Sequence, residues 1–255
     1  MASRGGSTAT RSTSIRPLSS PGLNFKSPGA GITLVVLHEK RLERCACCPE
    51  EFSLLRGNVA HKRRVEFALG RAAARLALRR AGHTSPPPVL QRVGPEPAWP
   101  SGMVGSITHC DSWAIAAVAK LESLKSLGID LVDIETVPPR EIAELVCTDV
   151  EREWVFRDQS SRLKLAKLCS AKETAYKALF HLCHKFLDFH AMELTWFPQS
   201  HSLRGVLLEE LNPEFPVGYH LEIGCQQRGN FVFTYATIPT NNTITRSEAP
   251  GSSAI

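Results

Sequence analysis

A long helix followed by a set of strands occurs twice along this chain of 255 residues, and that order constrains the fold more than any other feature. A β-branched run, Ile32 to Leu37, opens the folded part as a buried strand. A helical period runs from about Val59 to Ala81 and ends at Gly82 and the Ser85 to Pro88 loop. Strands are predicted at Met103 to His109, Trp113 to Ala119 and Gly128 to Ile134. The second round has helical pieces from Arg140 to Phe156 and from about Arg162 to Leu182. Strands follow at Ala191 to Phe197, Leu203 to Leu208, Tyr219 to Ile223 and Asn230 to Ile238. Helix then strands, twice, predicts an α+β fold of two similar halves, residues 31–125 and 126–240. No internal sequence repeat accompanies the pattern.

Charge narrows the function classes. The net charge of +5 rests on Arg4, Arg11, Arg16 and Lys26, which lie in a leading segment, residues 1–30, without a single acid. Beyond it stand 26 basic and 25 acidic residues, a balance that argues against a general nucleic-acid binder. Residues 1–30 are rich in Ser, Thr, Gly, Pro and Arg and read as a disordered tail, as do residues 241–255. A transit peptide is the rival reading of the leading segment, against which stands the lack of an amphipathic stripe; a secretory signal would need an apolar core that is missing. No apolar run approaches the length of a membrane span. Eight scattered cysteines suit a reducing compartment, so the cytoplasm is the expected location. Cys45, Cys47 and Cys48 cluster, but no second pair completes a zinc site.

Polarity is local. Arg56 to Arg80 holds eight Lys or Arg and one acid, Glu66, whereas Leu121 to Asp158 holds ten acids and four bases. At about 100° per residue, Arg64, Arg71, Arg75 and Arg79 form one row between two apolar stripes of the first long helix. Two explanations fit such a row: guanidinium forks lining a phosphate pocket, or arginines paired with acids of the second half. On the last long helix Ser170, Glu173 and Lys177 share a face, while Lys172 falls among Leu165, Leu168, Tyr176 and Leu179. A lysine there must snorkel or meet an anion. By itself the Glu173/Lys177 spacing is explained by a surface ion pair.

The segment Gly128-Ile129-Asp130-Leu131-Val132-Asp133-Ile134-Glu135 puts a carboxylate, Asp130, at a position its apolar neighbours predict to be buried. A buried carboxylate needs a partner, and a divalent cation is one. Alternation sets Asp130 and Val132 on one face and Asp133 on the other.

These segments together resemble the 4′-phosphopantetheinyl transferases. Leu168-Cys169-Ser170-Ala171-Lys172-Glu173-Thr174-Ala175-Tyr176-Lys177 is similar to their W/F-S-x-K-E-x-x-x-K motif, and Gly128-Ile129-Asp130 to their G-I-D motif. Gly94 to Pro100 with Val104 to Cys110 resembles the G-x-P and S-I-S-H region, as Lys62 to Arg71 resembles the segment before it. The order is closest to the branch that includes the enterobactin synthase D component. The resemblance implies a pseudo-twofold fold with coenzyme A in the cleft between the halves. Asp130 and Glu173 are then implied as Mg2+ ligands, Lys177 as a phosphate contact, and Thr108 and His109 as contacts of the nucleotide phosphate. Lys62, Arg63 and Arg71 would add positive charge around coenzyme A, and Lys172 would support the metal ligand or the pyrophosphate. Glu173 is the expected general base, directly or through water, with Lys177 stabilising charge. The partner implied is an apo acyl, peptidyl or aryl carrier protein, with no nucleic acid or membrane, and a monomer suffices.

The chain departs from the pattern at Val132, where many members carry a second metal-binding acid. The string is instead similar to the G-x-D-[IL]-V-x-I-E pattern of the small holo-acyl-carrier-protein synthases, so a site with two carboxylates is expected. Thr108 stands where Ser is usual, and Leu168 where an aromatic is common. The rival readings are a relative that binds coenzyme A or a carrier without catalysis, and a nucleic-acid binder using the arginine-rich helix.

Overall fold

The computed structural model describes residues 22–240 except 45–47, 56, 92–93 and 95. The expected tails at residues 1–21 and 241–255, and Cys45 and Cys47, lie outside the described residues. The elements are β1 (Thr33–His38), α1 (Pro49–Phe52), α2 (His61–Arg80), β2 (Leu90–Gln91), β3 (Pro97–Ala98), β4 (Met103–Cys110), β5 (Trp113–Lys120) and β6 (Leu124–Asp133). They continue with α3 (Pro139–Val146), α4 (Asp149–Phe156), α5 (Ser161–Cys183), β7 (Met192–Phe197), β8 (Ser202–Leu207), β9 (His220–Arg228) and β10 (Phe231–Pro239). Both long helices and all the expected strands are present, and the architecture is α+β.

An antiparallel sheet of order β1-β5-β4 carries α2, and a second, of order β6-β10-β9-β8-β7, carries α5. Strand β5 is apolar on both faces because it serves two cores. Ala114, Ala116 and Val118 pack with the alanines of α2. Ile115 and Ala117 turn the other way, onto Leu127, Ile129, Leu131 and Phe233 of the second sheet. A third core joins α5 to the outer strands of that sheet. Burial of these faces at roughly 25 cal/mol per Å2 of apolar surface is what unites the two helix-on-sheet halves.

Small residues set the close approaches. A Cβ at Gly128 of β6 would lie 2.1 Å from the Thr174 carbonyl oxygen and 2.8 Å from the Ala178 nitrogen of α5. Only glycine lets α5 sit this low on β6, and this proximity brings the charged turn of the helix against Asp130.

Two sequence expectations change. The helical stretch from Arg140 to Phe156 is two helices, broken at Cys147 and Thr148, because Thr148 starts a capping box with Glu151. The Glu151 amide donates to Thr148 Oγ1 at 3.3 Å, and the Thr148 amide donates to Glu151 Oε2 at 2.7 Å. The leading segment becomes ordered before residue 31. Phe25 is buried with its ring 4.8 Å from that of Phe233, and Lys26 exchanges backbone hydrogen bonds with the Gln226 side chain. Leu23 and Phe25 cover apolar sheet surface that would otherwise face water.

Candidate active site

A cavity of about 380 Å3 opens between the halves. Arg63, Glu66, Phe67 and Arg71 of α2 form one wall, with Trp99 and His109 beside them, and Tyr176, Lys177, Phe180 and His181 of α5 form the opposite wall. The first wall supplies charge. Arg71 is buried, its guanidinium 4.8 Å from the Phe67 ring centre, and its Nε has no hydrogen-bond partner. Burial lowers its pKa to about 10, Arg63 and Arg75 pushing the same way against Glu51. An arginine destabilised in this way favours an incoming anion.

Beside it, Arg63 Nη1 lies 2.8 Å from His109 Nε2, and Glu66 Oε2 lies 3.8 Å from His109 Nδ1. Burial pushes the His109 pKa below its ordinary value, Glu66 opposes this and Arg63 adds to it. Neutral His109 thus accepts from Arg63 and holds the guanidinium at the cavity wall. The rest of the arginine row separates. Arg75 pairs with buried Glu51 of its own half, so it braces α1, while Arg64 and Arg79 are exposed. Lys62 is 75% exposed, 3.9 Å from Glu66, and does not line the cavity.

On the second wall, Lys177 Nζ donates to Asp130 Oδ1 at 2.7 Å and to the Ile129 carbonyl at 3.2 Å. The lysine therefore pairs across to β6 rather than along its own helix. Asp130 is buried, and its Oδ1 also accepts from Thr108 Oγ1 at 3.0 Å. Burial raises the Glu173 pKa; Lys177 draws it back and the nearby charge of Asp130 raises it further. Neither carboxylate lines the cavity itself, and Glu173 lines a smaller pocket with Lys172 and Tyr176. Two carboxylates whose charges oppose each other are nonetheless a donor set that a hard divalent cation accepts, with water and phosphate oxygens as further ligands. No cluster of three or more His, Cys, Asp or Glu side chains forms a metal site among the described residues. Val132, where many relatives of the expected pattern carry an acid, packs against the core that holds α5. Asp133 caps the short 3-10 turn Ile134–Thr136 by accepting from the Glu135 amide, and takes no part in the pair.

Besides Lys62, two further residues expected at the ligand are elsewhere. Lys172 is 3% exposed, and its Nζ donates to Glu151 Oε2 at 2.7 Å, the Val146 carbonyl at 2.7 Å and the Phe189 carbonyl at 2.6 Å. All three ammonium protons are used away from the cavity, so Lys172 ties α5 to α3, α4 and the turn before β7. Thr108 faces β6 rather than the cavity, with its hydroxyl shared between Asp130 and the Leu131 amide. Ser170 is likewise buried, 2.8 Å from Thr234 Oγ1. Sequence reasoning missed Tyr176, Phe180 and His181 as cavity residues; their i, i+4, i+5 spacing next to Lys177 was the available signal.

Comparison with known proteins identifies the family. Residues 50–119 match the 4′-phosphopantetheinyl transferase N-terminal domain, and residues 126–236 match the 4′-phosphopantetheinyl transferase superfamily. The chain is 38% identical to 4′-phosphopantetheinyl transferase PptT of Mycobacterium tuberculosis, over 58% of this chain and 64% of that protein. Identity to 4′-phosphopantetheinyl transferase Npt of Nocardia iowensis is 39%, over 58% of this chain and 65% of the relative. Enterobactin synthase component D of Escherichia coli K12 is 30% identical, over 65% of this chain and 75% of its own length. Among solved structures, the holo-[acyl-carrier-protein] synthase of Thermotoga maritima aligns with a TM-score of 0.36 at 19% identity, over 44% of this chain and 61% of that one. The chain belongs to the 4′-phosphopantetheinyl transferase superfamily. It spans just under two thirds of the length of the mycobacterial and Nocardia relatives. No described helix is long and apolar enough to cross a membrane.

Proposed function

We propose that this protein transfers 4′-phosphopantetheine from coenzyme A to a serine of an apo acyl, peptidyl or aryl carrier protein, with magnesium as cofactor and 3′,5′-adenosine bisphosphate as the leaving product. The observation that carries the reading is Lys177 on the cavity wall, paired with buried Asp130, across from Arg71, whose buried Nε lacks a hydrogen-bond partner. Arg63 and Arg71 hold phosphate oxygens of coenzyme A and orient the nucleotide. Asp130 and Glu173 would hold magnesium, which neutralises pyrophosphate charge and polarises the β-phosphorus.

Glu173 takes the proton of the attacking serine hydroxyl, directly or through water. In the metal-free protein burial raises the pKa of its carboxyl. The serine oxygen bonds to the β-phosphorus as the bond to the bridging pyrophosphate oxygen breaks, and the electron pair leaves with the adenosine bisphosphate. Lys177, already on the cavity wall, meets the negative charge that grows on the leaving phosphate. Incubation with coenzyme A, Mg2+ and an apo carrier is expected to add the mass of one phosphopantetheine to the carrier, and Asp130→Ala is expected to abolish the gain. Full activity of that variant would overturn the metal assignment.

A further inference from the structure

Strands β4 and β6 run side by side where the halves meet, yet belong to different sheets. Side chains bridge the seam. The Ile129 amide donates to Ser106 Oγ at 3.1 Å, and the Leu131 amide donates to Thr108 Oγ1 at 3.2 Å. Two buried hydroxyls of β4 therefore stand where ladder carbonyls would stand, and satisfy two amides of β6 that burial would otherwise penalise.

The two hydroxyls differ in one respect. A threonine hydroxyl has a single proton. At Thr108 the oxygen already accepts from Leu131, and the proton points to Asp130 Oδ1 at 3.0 Å. Lys177 donates to the same oxygen at 2.7 Å. Both donors thus converge on Oδ1, which fixes the rotation of the carboxylate and leaves Oδ2 to present to a cation.

We propose that Thr108 is a positioning residue for the metal site: its hydroxyl, held by the seam between the halves, sets the orientation of the Asp130 carboxylate. This rests on the reading of Asp130 as a magnesium ligand. It gives Thr108 a role apart from coenzyme A, and it makes correct closure of the two halves a condition for metal binding.

The test is calorimetric titration of Mg2+ into the full-length protein saturated with coenzyme A, with no carrier present, so that turnover plays no part. Loss of a hydrogen bond that orients a ligand typically weakens metal binding by about tenfold to a hundredfold. Thr108→Val should raise the Mg2+ dissociation constant by about tenfold or more, and Thr108→Ser, which restores the hydroxyl, should return it to within about threefold of wild type. Ser106→Ala removes the matching bond to Ile129 without touching Asp130. It should lower the melting temperature while leaving the Mg2+ constant near wild type.

A folded Thr108→Val protein with unchanged Mg2+ affinity overturns the proposal, as does a Ser106→Ala shift as large as that of Thr108→Val. If Thr108→Val does not fold, the hydroxyl proton of the wild-type protein decides by NMR. A Thr108 hydroxyl resonance slow to exchange is expected, and free exchange with water overturns the assignment. Wild-type protein that binds no Mg2+ in the presence of coenzyme A would instead overturn the functional reading itself.

Discussion

Glu173 destabilises the metal-free fold. Burial raises its pKa, so the folded state holds the proton where the unfolded chain has released it. Stability is then fullest below the ordinary glutamate pKa and falls as pH rises through the folded value. Glu173→Gln removes this loss. Without metal, the variant should melt above wild type at neutral pH, with the gap closing as pH falls toward about 4. Melting below wild type at neutral pH would show that the carboxylate is already compensated. Arg71 makes the complementary case, because its buried Nε lacks a partner. Arg71→Ala should weaken coenzyme A binding roughly tenfold to a hundredfold, the cost of one or two charge-assisted hydrogen bonds. Unchanged affinity by calorimetry would move the phosphates away from α2. The sequence shows Asp130 clearly, since a carboxylate in an apolar strand stands out. It does not show that Lys177 prefers Asp130 to Glu173, because a local i, i+4 spacing says nothing about what the fold brings across the helix.

At the scale of elements, α5 is held from two sides. Gly128 admits it to β6, and Lys172 fastens it to three other segments through Glu151, Val146 and Phe189. The Lys172 and Glu151 side chains are 2% and 0% exposed, so removing one leaves the other charged and buried. Lys172→Met should cost about 3 kcal/mol or more by denaturant unfolding, and adding Glu151→Gln should recover part of that. A shift below about 0.5 kcal/mol, the size of a surface effect, would contradict the strut assignment. The sequence indicated that a lysine on the apolar face must snorkel or meet an anion. It could not say that Glu151, 21 residues earlier, is that anion rather than a ligand or metal group. The break before α4 was legible in principle, because Thr148-Asp149-Val150-Glu151 has the spacing of a capping box.

The whole molecule is two helix-on-sheet halves whose shared core makes the cavity possible. The two long helices and the long strands were visible from hydrophobic period, β-branched runs and Gly and Pro stops, whereas the short α1, β2 and β3 were not. The seam was not visible, because Thr108 and Asp130 are 22 residues apart and meet only through the pairing of two sheet edges. The Phe25 strap was also hidden: its composition resembles a tail, and its contacts to Phe233 and Gln226 lie some 200 residues away. Phe25→Ala should destabilise the fold by about 3 kcal/mol, read by thermal or chemical unfolding, since it empties a buried aromatic site in the central core. No loss would mean that the strap is dispensable.

The most direct measurement follows an apo carrier protein by intact mass while counting 3′,5′-adenosine bisphosphate in the same reaction. Wild-type protein with Mg2+ and coenzyme A is predicted to add one phosphopantetheine per carrier and release one bisphosphate for each, with neither product formed by Glu173→Gln. Coenzyme A consumed without a gain in carrier mass, or equal turnover by Glu173→Gln, would contradict the account.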